Sequence, residues 1–136
     1  MFKAFPFYRQ PDMMDCGPTC LRIVLRYYGK LFSLQELREL CETGRTGSSM
    51  LHMKAGAEKL GMAAEGYRLS YAALLKQHLP CIAFWNQQHY VVVYKITSEK
   101  VFVSDPSHDR ITYSVNEFLA GWADEEQTGI ILALKP

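Results

Sequence analysis

The chain has 136 residues, of which 49% are hydrophobic, with 15 basic and 14 acidic side chains and a net charge of +1. That length predicts a single domain over residues 1–136, and balanced, scattered charge argues against nucleic acid or an anionic membrane as a general partner. No stretch reaches the ~18 apolar residues of a spanning helix, and residues 1–7 carry no signal-peptide cleavage pattern.

The first predicted element is a helix. Gln10 lies six positions before Cys16, in a loop that runs into Asp15-Cys16-Gly17-Pro18-Thr19-Cys20-Leu21. Gly17 allows a tight entry, Pro18 suits a first helical turn, and Leu21, Val24, Leu25 and Tyr28 recur at helical spacing before Gly29 stops the run. Cys16 thus sits at a helix N-terminus, where the dipole and unpaired backbone N–H groups favour a thiolate. An isolated cysteine there would read as a buried structural thiol; its company decides.

A second helix opens at the capping box Ser33-Leu34-Gln35-Glu36, with Leu34, Leu37, Leu40 and Cys41 on its inner face. Residues 43–47 form a loop of small residues. A third helix covers about residues 49–60 and stops at Gly61. Residues 62–68 read as a strand, and Ser70 caps a short helix. Strands follow at residues 81–85, 89–96, 101–104 and 111–113, then a helix near residues 115–122 and a last strand at residues 129–134. Helices followed by an antiparallel sheet make an α+β domain, with Cys16 on the helical side and a cleft between the halves.

Four histidines could serve Cys16. His52 lies inside a helix, His78 near a helix end, and His108 in a polar turn. His89 begins His89-Tyr90-Val91-Val92-Val93-Tyr94, a buried strand that would hold its ring rigidly at a cleft, although a packed histidine fits that feature equally. Residues 97–100 turn this strand into the next, so Asp105 at the end of the second strand comes within roughly 10 Å of His89 along the ladder. An Asp before Pro106 is also ordinary turn chemistry. Beside His89 it would set the imidazole tautomer. Gln10 fits the remaining role, an amide donor to an oxyanion.

Taken together, Gln10, the Asp15-to-Leu21 run, His89-Tyr90-Val91-Val92-Val93 and Asp105-Pro106 resemble the C39 peptidase family, papain-like cysteine protease domains at the N-terminus of peptidase-containing ABC transporters. The resemblance spans essentially the whole chain. It implies a papain-like fold with N-terminal helices packed on a C-terminal antiparallel sheet. By resemblance Cys16 is the nucleophile, His89 the general base and acid, Asp105 the orienting residue, and Gln10 the oxyanion donor together with the backbone N–H of Cys16. The implied substrate is the leader of a bacteriocin, pheromone or similar secreted peptide, cut after a Gly-Gly pair. The implied partners are the transmembrane and nucleotide-binding domains of a transporter, at the cytoplasmic face of the bacterial membrane. No cofactor is expected for this domain, ATP belonging to the transporter alone.

A Gly-Gly requirement implies a narrow channel, for which Trp85 and Tyr90 are candidate walls, core packing being the alternative for both. Cys16 and Cys20 lack two further close ligands, so no metal is expected, and Cys20, Cys41 and Cys81 read as core. Free thiols and a reduced nucleophile suit the cytosol. Two rivals stay open: another thiol acyl-transfer enzyme on this fold, and a catalytically inactive domain that binds export substrates.

Overall fold

The computed structural model describes residues 4–136; residues 1–3, part of the opening stretch, lie outside the described residues. A 3-10 turn (Met13–Asp15) runs into α1 (Cys16–Tyr27), followed by α2 (Leu34–Leu40) and α3 (Met50–Lys59). Then come β1 (Ala63–Ser70), α4 (Tyr71–Leu74), β2 (Cys81–Trp85), β3 (His89–Ile96), β4 (Lys100–Ser104), β5 (Arg110–Ser114), α5 (Val115–Trp122) and β6 (Thr128–Lys135).

Local chemistry sets the helix ends. Ser33 Oγ accepts from the Glu36 N–H at 3.1 Å, and Glu36 Oε1 accepts from the Ser33 N–H at 3.0 Å, the expected capping box. Ser114 and Glu117 repeat it at α5, with distances of 3.1 and 2.7 Å. Gly29, at φ 79°, takes the left-handed turn that closes α1, and the Lys30 N–H reaches back to Leu25 O at 2.9 Å.

The six strands form one antiparallel sheet in the order β1-β6-β2-β3-β4-β5. This realises the expected α+β fold with two refinements. The sheet is not drawn wholly from the C-terminal half, because β1 pairs with β6 from Ala63↔Lys135 to Ser70↔Thr128. Helices also cover both faces. Ile82, Val92, Leu132 and Leu134 pack towards α1, α2 and α3, whereas Cys81, Ala83, Trp85, Val91, Val93 and Ile131 pack with Leu74 of α4 and Phe118 and Trp122 of α5. That explains why β3 carries three consecutive valines: alternate residues enter opposite cores.

Helix α1 is central to the first core. Cys20, Leu21, Ile23, Val24 and Leu25 are all fully buried, the larger of them contributing about 1.5–3 kcal/mol each. Gly17 lets α3 come close, since a Cβ there would stand 2.9 Å from Met53 Sδ. The start of α1 is therefore held against the sheet and α3 together.

At the other core, a Cβ on Gly121 would overlap the Trp85 ring, and Gly121 O accepts the Asn86 N–H at 2.8 Å, tying the β2–β3 turn to α5. Gly121→Ala should cost about 1–3 kcal/mol and lower Tm by several degrees in a thermal melt. An unchanged Tm would mean that Trp85 has room to move.

Candidate active site

Three elements bring the predicted residues together. Cys16 opens α1, His89 opens β3, and Asp105 follows the last residue of β4. The β3–β4 ladder pairs Val92 with Ser104 and Val93 with Val103, which sets Asp105 near the His89 end. His89 Nε2 and Asp105 Oδ1 lie 2.8 Å apart. The Cys16 sulfur is near enough to the same imidazole to contribute to raising its pKa. Cys16, His89 and Asp105 thus gather at one corner of the sheet.

Asp105 is 6% exposed, and its Oδ1 also accepts from the backbone N–H of Ser107 at 2.9 Å and from Ser107 Oγ at 2.8 Å. Burial alone would raise its pKa; the His89 and Ser107 hydrogen bonds and the imidazolium charge outweigh it and hold the carboxyl below its ordinary value. His89 shows the complementary balance. Burial favours loss of its proton, but the hydrogen bond to Asp105, the nearby Cys16 sulfur and the charges of both lift its pKa from 6.5 to about 9. Ser107 was not singled out from sequence, though an Asp-Pro-Ser turn carries the signal, because Ser and Asp bond locally in turns.

The Gln10 loop is tied to the same corner. Its backbone N–H donates to Pro106 O at 2.8 Å, directly after Asp105. Its Nε2 donates to Asp12 O at 3.0 Å, which uses one amide proton and leaves the second free for an oxyanion. Arg9 clasps the carbonyl of His108 at 2.7 Å, so the loop before Cys16 is fastened to the turn after Asp105.

The two candidate wall residues part company. Trp85 is 7% exposed and packs against Tyr113 and Phe118 at 5.2 and 5.6 Å; strand alternation turns it towards α5, so it takes the core alternative. Tyr90 is half-buried on the α1 side, its ring 5.5 Å from Phe84. Burial first, then the Cys16 and Cys20 sulfurs, raise the pKa of its hydroxyl.

The other histidines are occupied elsewhere: His52 sits 3.7 Å from Glu42, His78 bonds the Tyr28 hydroxyl at 2.8 Å, and His108 is exposed. Cys20, Cys41 and Cys81 are fully buried. Burial pushes the Cys41 thiol up to about 11 and the Cys81 thiol to about 12, and raises that of Cys20. A cleft of about 550 Å³ between the end of α5 and the β2–β3 turn is lined by Arg68, Phe84, Trp122 and Asp124 among others, and by none of Gln10, Cys16, His89 or Asp105. Chemistry rather than volume marks the site.

The sequence pattern described as the Peptidase C39 family matches residues 4–136. The chain belongs to that family. Among C39 relatives, the lactococcin-G-processing and transport ATP-binding protein LagD of Lactococcus lactis is 33% identical over 133 residues, covering 93% of this chain and 18% of that protein. The probable functional amyloid protease FapD of Pseudomonas aeruginosa is 36% identical over 136 residues, covering 92% of this chain and 58% of its own. Of solved C39 structures, a double glycine motif protease from an AMS/PCAT transporter, in complex with the leader peptide, superposes with a TM-score of 0.89 at 32% identity, covering 96% of this chain and 91% of that one. The peptidase domain of Streptococcus ComA, a bi-functional ABC transporter, gives 0.87 at 28% identity, covering 98% and 99%. The chain thus spans less than a fifth of the length of a transport protein such as LagD, 18%, but nearly all of these peptidase domains. No helix among the described residues is long and apolar enough to cross a membrane.

An NMR titration of His89 checks the charge balance. Its midpoint should lie near 9 and should fall in Asp105→Asn, because removing the carboxylate leaves burial less opposed. A raised folded-state pKa stabilises most below the unfolded value, so His89 contributes fully below pH 6.5, and that contribution fades as pH rises through about 9. A midpoint unmoved by Asp105→Asn would remove Asp105 as its source.

Proposed function

We propose that this chain is a cysteine endopeptidase that removes the leader from an exported peptide after a Gly-Gly pair, as the peptidase domain of an ABC transporter at the cytoplasmic face of the membrane. What carries this is the gathering of Cys16, His89 and Asp105 at one corner of the sheet within a C39 domain. The leader-bound relative and the bacteriocin-processing proteins supply the substrate class.

In the proposed reaction the Cys16 thiolate attacks the glycine carbonyl at the junction. The negative oxygen is held by the free Nε2 proton of Gln10 and the backbone N–H of Cys16. Collapse breaks the C–N bond, and the His89 imidazolium gives its proton to the departing amine. His89, now neutral, takes a proton from water as it attacks the thioester; cleavage returns the thiolate and imidazolium, with Asp105 orienting the ring throughout. Side chains and backbone alone supply the chemistry. Tyr90 is the candidate wall of the substrate channel that remains.

The leader needs an apolar surface if it docks as an amphipathic helix. Leu51 in the first turn of α3 is 72% exposed. The α3-facing side of β1 adjoins this turn: a Cβ on Gly66 would lie 3.7 Å from Met50 Sδ, beside Leu51. We assign this surface to the apolar face of the leader.

Mass spectrometry of a leader–core peptide with a Gly-Gly junction tests the reading. The native chain should cut after the second glycine, Cys16→Ala should not, and Gln10→Ala should lose about 10²–10³ in kcat. Cleavage by Cys16→Ala would overturn the mechanism, and leader binding without cleavage by the native chain would favour a substrate-binding domain. Leu51→Asp should raise KM several-fold with kcat kept, since it removes binding common to ground and transition states; an unchanged KM would move the leader elsewhere.

A further inference from the structure

Asp15, immediately before Cys16, is fully buried, and a buried carboxylate is costly unless paired and hydrogen-bonded. The mechanism above gives it no role. Its partner is Arg38 of α2, which meets it with the guanidinium fork: Nε to Oδ1 at 2.8 Å and Nη2 to Oδ2 at 2.6 Å. The same Oδ2 accepts the backbone N–H of Asp12 at 3.2 Å. Nη2 also lies 3.9 Å from Asp12 Oδ2, and Nη1 lies 3.5 Å from Gln35 Oε1.

The bonds continue towards the site. Asp12 O accepts from the Asp15 N–H at 3.0 Å and from Gln10 Nε2 at 3.0 Å. Arg38 fixes Asp15, Asp15 fixes the peptide N–H of Asp12, and the Asp12 carbonyl sets which way the Gln10 amide turns. Gln10 Oε1 is buried without a hydrogen-bond partner among the described residues, so Asp12 O is the side-chain amide's one anchor among them. An amide with a single anchor turns with the carbonyl that holds it. Lysine could not replace this fork, because a point charge with rotatable donors fixes only one oxygen at a time.

We propose that Arg38 is a positioning residue for catalysis: through Asp15 and Asp12 it orients the Gln10 amide for the oxyanion. This rests on the peptidase reading above. The effect is on geometry, not on the protonation of Cys16 or His89. Arg38 touches neither substrate nor reacting atoms.

The test is a double-mutant cycle on the leader–core peptide, with the pH dependence of Cys16 alkylation by iodoacetamide as the independent readout. Alkylation forms no oxyanion, so it reports the thiolate alone. Arg38→Lys should lower kcat by about ten- to a hundredfold with KM within about twofold, and leave the alkylation profile unchanged. In a Gln10→Ala background the same substitution should cost less than about twofold, because the amide it positions is gone. An equal loss of kcat in both backgrounds, or an alkylation profile that moves with Arg38→Lys, would overturn the proposal. If Arg38→Lys does not fold, Asp15→Asn enters the same cycle with the same expectation. Failure of the underlying reading looks different: the native chain leaves the peptide uncut, or Gln10→Ala leaves kcat unchanged, and the proposal falls with it.

Discussion

The packing of α1 against β3 is the constraint on which the site depends. Cys16 on a helix and His89 on a strand come together only if the two element starts meet at one corner of the sheet. Here α1 buries Cys20, Leu21, Ile23, Val24 and Leu25 completely, and the sheet answers with Ile82, Val92, Leu132 and Leu134. Sliding α1 by one residue would move Cys16 by about 1.5 Å and expose part of that core. Apolar burial far from the reaction therefore sets the position of the sulfur. Gly17 refines it, since the nearness of Met53 leaves no space for a side chain at that step.

Around this frame each buried charge has its own partners. Asp105 has His89 and Ser107; Asp15 has Arg38 and the Asp12 N–H. The two carboxylates have opposite tasks. Asp105 faces a group that must change charge, and so its hydrogen bonds alter a titration. Asp15 faces an arginine, which stays protonated at any working pH, and so its bonds are purely geometric. One corner thus contains a tunable pair and a fixed one, joined by the loop from Gln10 to Cys16.

Much of this was legible in the chain. The helix starts at Ser33, Ser49 and Ser70, the stop at Gly29, and the strands around residues 81–104 follow from capping chemistry and apolar periodicity, which are local. His89 and Asp105 could be paired because a short turn joins their strands. What escaped is long-range. Arg38 lies 23 positions from Asp15, and nothing local to either residue announces the other. Likewise β1 reads as an isolated, largely exposed strand until β6 pairs with it across the whole domain. Trp85 was ambiguous because both it and Tyr90 flank the same turn; only the face of the sheet separates a ring in the α5 core from one on the α1 side.

The four cysteines show how one chain confines a reactive group. All are free and all are largely buried, so burial by itself does not distinguish them. Cys20, Cys41 and Cys81 lie in apolar surroundings that oppose ionisation and offer no cation in compensation. Cys16 alone of the four lies near an imidazole whose own pKa is lifted to about 9. What sets Cys16 apart from three chemically identical thiols is thus one neighbour, and that neighbour is in turn held by Asp105.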